Sequence, residues 1–101
     1  MNRLMYNFDD IRIKKNSLTH NILMITKFYN KIITYSDLQQ INSKDFRNTN
    51  KIDRSILFLS LNGLVHVTSP SHWIVTPKGV SFLYYFASKN PSHAMESPDF
   101  I

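Results

Sequence analysis

The segment between residues 50 and 79 constrains the fold of this 101-residue chain more than any other. Ile52, Ile56 and Leu59 recur there at spacings of four and three residues, which gives a helix one continuous apolar face. Gly63 follows this repeat, and a glycine at such a position can adopt the left-handed conformation that ends a helix. The sequence therefore predicts a helix that begins near residue 50 and stops at Gly63.

A hairpin and a second helix should follow this stop. Residues 64–68 and 73–76 are rich in β-branched and aromatic side chains, and the turn-forming residues 69–72 (SPSH) separate them. Thr76-Pro77 has the composition of a helix start, with Thr as the N-cap and Pro at the first helical position. We therefore expect the order helix, hairpin, helix.

This order resembles the winged-helix form of the helix-turn-helix, in particular MarR-like and related small transcription regulators. Gly63-Leu64 stands where the family leaves its recognition helix through G-L-[IV], and residues 75–79 (VTPKG) stand where it often has L-T-x-x-G after the wing. The likeness extends over residues 17–88, with a longer turn than is typical over residues 42–49. It implies an α+β, mainly α fold, in which a three-helix core carries a β-hairpin wing and a C-terminal helix. It also implies a transcriptional regulator that binds double-stranded DNA.

Two more helices and a short strand are predicted upstream. The first helix spans residues 18–30 after a cap at Asn16-Ser17, and the β-branched residues 31–35 form a short strand of the kind that pairs with the wing in proteins that the chain resembles. Ser36 is the expected N-cap of the next helix. The side chains expected to point inward are Leu18, Ile22, Ile25 and Tyr29 in the first helix and Leu38 and Ile41 in the second.

We divide the chain into an N-terminal arm (1–15), a winged-helix domain (16–88) and a flexible C-terminal tail (89–101). In the arm, Leu4, Phe8 and Ile11 have helical spacing, whereas residues 11–14 alternate like a strand, so that both structures stay open. The tail contains two prolines and scattered charges, which is typical of a flexible segment.

Composition narrows the classes of function. Twelve Lys and Arg residues against seven Asp and Glu give a formal charge of +5, which favours a polyanionic partner. The absence of cysteine excludes disulfides and thiol catalysis. With one glutamate, Glu96, and two glycines, the chain has neither paired catalytic carboxylates nor a glycine-rich phosphate loop, so we expect no enzyme activity and no cofactor.

Metal sites and membranes are also not expected. His66 and His72 have no Cys or Glu at ligand spacing, so the sequence predicts no metal site. Apolar runs are too short to span a bilayer, and the N-terminus lacks the apolar core of a signal peptide. We therefore expect an intracellular, cytoplasmic protein.

Basic and polar side chains concentrate around the start of the central helix, in residues 42–50 (NSKDFRNTN) and the turn after them. Because the apolar repeat should face the core, Asn50 and Arg54 should lie on the opposite side, where they become candidate base readers. The neighbouring lysines and Arg47 are candidate phosphate contacts. The complete predicted DNA-contacting set is Lys44, Arg47, Asn48, Thr49, Asn50, Lys51 and Arg54, with Ser69, Ser71 and His72 from the wing tip.

Apolar residues in the same region support an alternative function. Phe46 should anchor its polar loop to the core. Leu57, Phe58 and Leu61 are apolar where a groove-facing helix normally carries polar side chains, so either two of them pack under the first helix and the wing or part of this helix meets another protein. A winged helix used as a protein-interaction module, with a protein partner, is therefore the alternative.

The last helix, from residue 78 to about residue 88, carries two apolar stripes. Val80, Leu83 and Ala87 are expected to face the core. The second stripe is aromatic, and either the N-terminal arm covers it within one chain or a second copy covers it in a homodimer that reads a palindromic site. The homodimer is favoured, and its predicted interface consists of Leu4, Phe8, Phe82, Tyr85 and Phe86.

Overall fold

Four α-helices and a three-stranded antiparallel sheet form the part of the chain that the computed structural model describes, residues 6–41 and 44–89. In chain order the elements are α1 (Leu18–Tyr29), β1 (Ile33–Thr34), α2 (Tyr35–Gln39), a 3₁₀ turn (Lys44–Arg47), α3 (Thr49–Leu61), β2 (Val65–Ser69), β3 (His72–Val75) and α4 (Pro77–Lys89). The structure is therefore α+β and mainly helical, which confirms the predicted class. Leu4 and the tail from residue 90 onwards lie outside the described residues.

Helix α1 begins and ends where the sequence predicts, but its buried face is wider. The Ser17 hydroxyl accepts a hydrogen bond from the backbone N–H of His20 at 3.2 Å, and Asn30 ends the helix in the left-handed conformation. Leu23 and Thr26 are fully buried, whereas Tyr29, which was expected to point inward, is 40 % exposed. Helix α3, strand β3 and helix α4 all pack against α1, so they bury more than one stripe of it. The prediction was wrong at Tyr29, which is the last residue of the helix and stays partly exposed.

Helix α2 starts two residues earlier than predicted. Thr34, not Ser36, is its N-cap: the Thr34 hydroxyl accepts from the Asp37 N–H at 3.2 Å, and the Asp37 carboxylate accepts from the Thr34 N–H at 2.9 Å. This reciprocal capping box satisfies two backbone donors and therefore wins over a single cap at Ser36. Leu38 is buried as predicted, and Phe46, at 1 % exposure, anchors the 3₁₀ turn to the core.

The stop of α3 at Gly63 is confirmed. Gly63 has a φ of +73°, the N–H of Gly63 donates to the Ser60 carbonyl at 3.0 Å, and the N–H of Leu64 donates to the Leu59 carbonyl at 2.9 Å. This pair of bonds satisfies carbonyls that the helix end leaves unpaired, and Leu59 and Leu64 are both fully buried beside it. The helix exit is therefore closed by hydrogen bonds and by packing together.

The sheet has the strand order β1-β3-β2, so the predicted short strand does pair with the hairpin. Ile33 pairs with Trp73, and Val65 pairs with Val75. The hairpin turn is tighter than predicted, because Ser69 and His72 pair with each other and leave only Pro70-Ser71 between the strands.

Helix α4 starts at Thr76-Pro77 as predicted. The Thr76 hydroxyl accepts from the N–H of Gly79 at 2.9 Å and donates to the carbonyl of Gly63 at 2.6 Å. One side chain thus caps α4 and ties its start to the end of α3.

The predicted orientation of α4 was wrong. Phe82 is 1 % exposed and belongs to the core, whereas Val80, Leu83 and Ala87 are only half-buried. Phe8 of the arm covers the aromatic side within the same chain, with ring centroids 5.4 Å from Phe82. An aromatic ring buries more apolar area than Val or Ala, which accounts for the rotation. Phe82 is therefore not a surface residue available to a second copy.

The arm itself is neither helix nor strand between residues 6 and 16. Phe8 also contacts Tyr85 at a centroid distance of 5.1 Å, and the Tyr85 hydroxyl donates to Asp9 at 3.4 Å. Phe86 packs against the ring of His20 at 4.7 Å. The arm therefore adheres to α4 through side chains, which corresponds to the single-chain alternative expected for these aromatic residues.

His20 joins the arm to α1, and we expect it to make the stability dependent on pH. The N–H of Asn16 donates to Nδ1 of His20 at 3.0 Å, which requires that nitrogen to be unprotonated. Burial, and then the charge of Lys15, lower the pKa of His20 from its ordinary value of 6.5. The unfolded chain therefore binds more protons in this range, and the stability that the neutral ring provides is present above pH 6.5 and is lost as the pH falls through the lowered pKa.

We expect His20→Asn to reduce this loss, because the amide oxygen can accept the same N–H and does not titrate. The test is urea unfolding at several pH values between about 5 and 8, followed by the fluorescence of Trp73. It measures how the unfolding midpoint of each protein changes with pH. Equal changes of midpoint with pH in both proteins would contradict the role of His20.

Candidate nucleic-acid interface

Helix α3 carries four of the ten predicted DNA-contacting residues, Thr49, Asn50, Lys51 and Arg54. Asn50, Asp53, Arg54 and Leu57 are all exposed, and they recur at helical spacing along one side. The opposite side is buried, at Ile52, Ser55, Ile56 and Leu59. The predicted division of this helix into an inner and an outer face is confirmed.

Packing fixes the rotation of α3. Ile52 and Leu59 are fully buried in the core. The Ser55 hydroxyl lies 2.8 Å from that of Thr19 in α1, within hydrogen-bonding distance. Ser55 is buried and Thr19 is half-buried, so loss of this contact would leave the Ser55 hydroxyl without a partner, and the contact opposes rotation of the helix about its axis. Arg54 and Leu57 are consequently held towards solvent.

The four basic residues of the predicted set are all exposed around the start of α3. Lys44 and Arg47 lie in the 3₁₀ turn before the helix, and Lys51 and Arg54 lie in its first two turns. Because buried Phe46 lies between Lys44 and Arg47, the turn that carries them is attached to the core. This arrangement places positive charge along one end of the exposed face.

The remaining polar residues near the start of α3 differ in how far their side chains are available for contacts outside the chain. The side-chain oxygen of Asn48 accepts from the N–H groups of Asn50 at 3.0 Å and of Lys51 at 3.2 Å, so Asn48 is the N-cap of α3. Thr49 and Asn50 are exposed. Asn48 therefore has a structural role that the sequence did not predict, and only its amide NH₂ is left for an outside contact.

The hairpin turn presents small, uncharged groups. Ser69, Pro70 and Ser71 are exposed, whereas His72 is half-buried. Nδ1–H of His72 donates to the carbonyl of Pro70 at 2.9 Å, and Ser71 has a positive φ of 69°. The turn is therefore held in one shape by its own hydrogen bond.

A pocket of about 230 Å³ lies between α3 and the hairpin. Asp53 and Leu57 line it from the helix, and Val67, Ser71 and His72 line it from the hairpin. The structure thus brings the exposed face of α3 and the hairpin turn to one surface. Sequence patterns missed Val67 in this site, because alternation places it on the same face as buried Val65, yet Val67 is 38 % exposed.

Apolar side chains are exposed on the same helix. Leu57 is 59 % exposed and Leu61 is 77 % exposed, while Phe58 packs against the core. Of the three apolar residues that the sequence singles out, only Phe58 is thus substantially covered within the chain.

Neither metal-ligand clusters nor membrane-spanning helices are found in the described residues. Within residues 6–41 and 44–89, no three His, Cys, Asp or Glu side chains come together as metal ligands. Over the same ranges, no helix has the length and apolar character needed to cross a membrane.

Comparison of the chain with protein-family models, with curated proteins and with solved structures found no match. The resemblance to winged-helix regulators therefore stays a prediction.

Proposed function

We propose that this chain is a winged-helix protein that binds double-stranded DNA sequence-specifically and regulates transcription in the cytoplasm as a homodimer. In this proposal α3 enters the major groove and the β2–β3 hairpin is the wing. The observation that carries the proposal is the exposed face of α3, on which Asn50 and Arg54 stand clear of the core with Lys44, Arg47 and Lys51 around them.

The chemistry of these residues suits duplex DNA. Arginine donates two hydrogen bonds to guanine, and asparagine pairs with adenine, both in the major groove. Lysine and arginine side chains at the edge of the same face supply the phosphate contacts that hold a protein in register. The uncharged Ser69 and Ser71 would approach the backbone through hydroxyl and N–H groups.

A gel shift with random duplex DNA across a salt series tests the function. We expect binding at low salt, with an affinity that falls as salt rises, because each phosphate contact releases about 0.9 counterions. Absence of any shift at low salt would overturn the DNA-binding proposal.

Single substitutions should separate two kinds of contact. Lys44→Ala, Arg47→Ala or Lys51→Ala should weaken binding to all sequences alike and reduce the salt slope by about one each. Arg54→Ala should instead reduce discrimination between a selected site and random duplex by about 1 to 3 kcal/mol. Affinity measurements at several salt concentrations check both, and unchanged affinity in all four variants would contradict the assignment.

The homodimer has its own test. We propose that it forms on the part of α4 and the arm that the contacts within one chain leave exposed, where Tyr85 and Phe86 are only half-buried beside Phe8. A twofold axis would set two copies of α3 about 34 Å apart, one turn of DNA. Analytical ultracentrifugation of the unaltered protein should show a dimer at tens of micromolar, and a monomer would contradict this part of the proposal.

A protein-interaction module is the second candidate. Leu57 and Leu61 are 59 % and 77 % exposed, which favours a partner with an apolar surface. The uncharged hairpin turn is compatible with the same function. Failure of the gel shift would favour this candidate over the first.

A further inference from the structure

Leu57 lies among polar residues on the exposed side of α3. Asn50, Arg54 and Leu57 are separated by four and three residues, so they form one stripe along the helix, and all three are exposed. Leu57 is 59 % exposed and also borders the pocket between α3 and the hairpin. An apolar side chain therefore occupies the position next to the proposed base-reading arginine.

We propose that Leu57 recognises the 5-methyl group of thymine in the major groove, and that α3 therefore selects thymine at one position of its DNA site. This inference rests on the proposed DNA-binding function. In the major groove, thymine alone among the four bases presents a methyl group, and apolar side chains recognise it by direct contact.

The spacing of the stripe suits neighbouring base pairs. Leu57 follows Arg54 by three positions, which corresponds to about 4.5 Å along a helix axis. Consecutive base pairs are about 3.4 Å apart along a strand. A helix that sets Arg54 against one base edge therefore brings Leu57 to the adjacent pair.

Charge on the surrounding surface selects DNA as the occupant of this face. Exposed Lys44, Arg47 and Lys51 flank the stripe, and Arg54 belongs to it, which suits a polyanion. Asp53, which is exposed and lines the pocket beside Leu57, would repel a phosphate there. The DNA phosphate backbone is thus favoured near the start of α3, and a base edge is favoured at Leu57.

The test removes the methyl group from the DNA. A duplex is first selected from a random pool with the full-length protein. The thymines of the selected site are then replaced by deoxyuridine one at a time, which gives one duplex for each position. Because burial of one methyl-sized group contributes about 0.8 kcal/mol, we expect a loss of about fourfold in affinity at one position. Leu57→Ala should bind the thymine and deoxyuridine duplexes equally.

Leu61→Ala is the matched control. It makes the same chemical change on the same helix, but Leu61 is the last residue of α3, four residues beyond Leu57, and is 77 % exposed. This variant should keep the fourfold response to methyl removal. Thermal unfolding of both variants checks that the fold is unchanged.

The outcomes are distinguishable. Equal affinity of the unaltered protein for thymine and deoxyuridine duplexes overturns the role of Leu57 and leaves the DNA-binding proposal standing. A response that persists in Leu57→Ala assigns the methyl contact to another residue and also overturns the inference. Recovery of no duplex from the pool overturns this inference together with the proposed function, and favours a protein partner.

Discussion

Leu59→Ala should lower the free energy of unfolding by about 2 to 5 kcal/mol, the range for truncation of a buried leucine. Leu59 is fully buried in the core cluster, and its backbone carbonyl accepts the hydrogen bond from Leu64 that closes α3. A small domain has about 5 to 15 kcal/mol in total, so this one change would remove a large share of its stability. Chemical denaturation followed by circular dichroism measures the difference.

Leu61→Ala is the control for this prediction, since it deletes the same atoms two residues later on α3. Leu61 is 77 % exposed, so we expect a change within about 0.5 kcal/mol. Similar effects of the two substitutions would contradict the buried and exposed faces that the apolar repeat predicts.

Gly79→Ala should destabilise the protein by about 3 kcal/mol or more, at the upper end of the effects of overpacking. A Cβ atom at Gly79 would overlap the carbonyl oxygen of Leu64 and lie 2.9 Å from Cγ2 of Val75. The carbonyl belongs to the backbone and cannot rotate away, so α4 would have to move from the end of α3 and the hairpin. Thermal or urea unfolding of the purified variant measures the loss.

Gly63→Ala provides a contrast between the two glycines of the chain. A Cβ atom at Gly63 would meet only the Lys78 side chain, at 3.5 Å, but the φ of +73° disfavours any residue with a Cβ. The expected cost is about 1 to 2 kcal/mol. A larger loss at Gly63 than at Gly79 would contradict the close approach of α4 to Leu64.

Local chemistry determined the boundaries of several elements. Ser17 before α1, Gly63 after α3 and Thr76-Pro77 before α4 act through hydrogen bonds and backbone angles within a few residues, so the sequence predicts them without the fold. The exception is α2, where Thr34 and Asp37 form a capping box that a single-residue pattern at Ser36 does not reveal.

Periodicity determined which side of α3 is buried, because one side of that helix is apolar and the other is largely polar. The same reasoning placed Asn50 and Arg54 on the exposed face. It was not sufficient for α4, which has two apolar stripes. A pattern of apolar residues shows that a face can be buried, but it does not say which of two faces is covered.

Tertiary structure decided those remaining choices. Phe82 lies in the core and the Phe8 ring covers it, because residues of the distant arm supply contacts that no local pattern contains. The pocket between α3 and the hairpin likewise depends on how Leu57 and Val67, ten positions apart, are brought to one surface. The sequence by itself thus determined where α1 and α4 begin, where α3 ends and which residues of α3 face outward. Which of two apolar faces is buried, and which side chains meet across elements, depends on the area covered by all neighbours at once and was settled only by the packed structure.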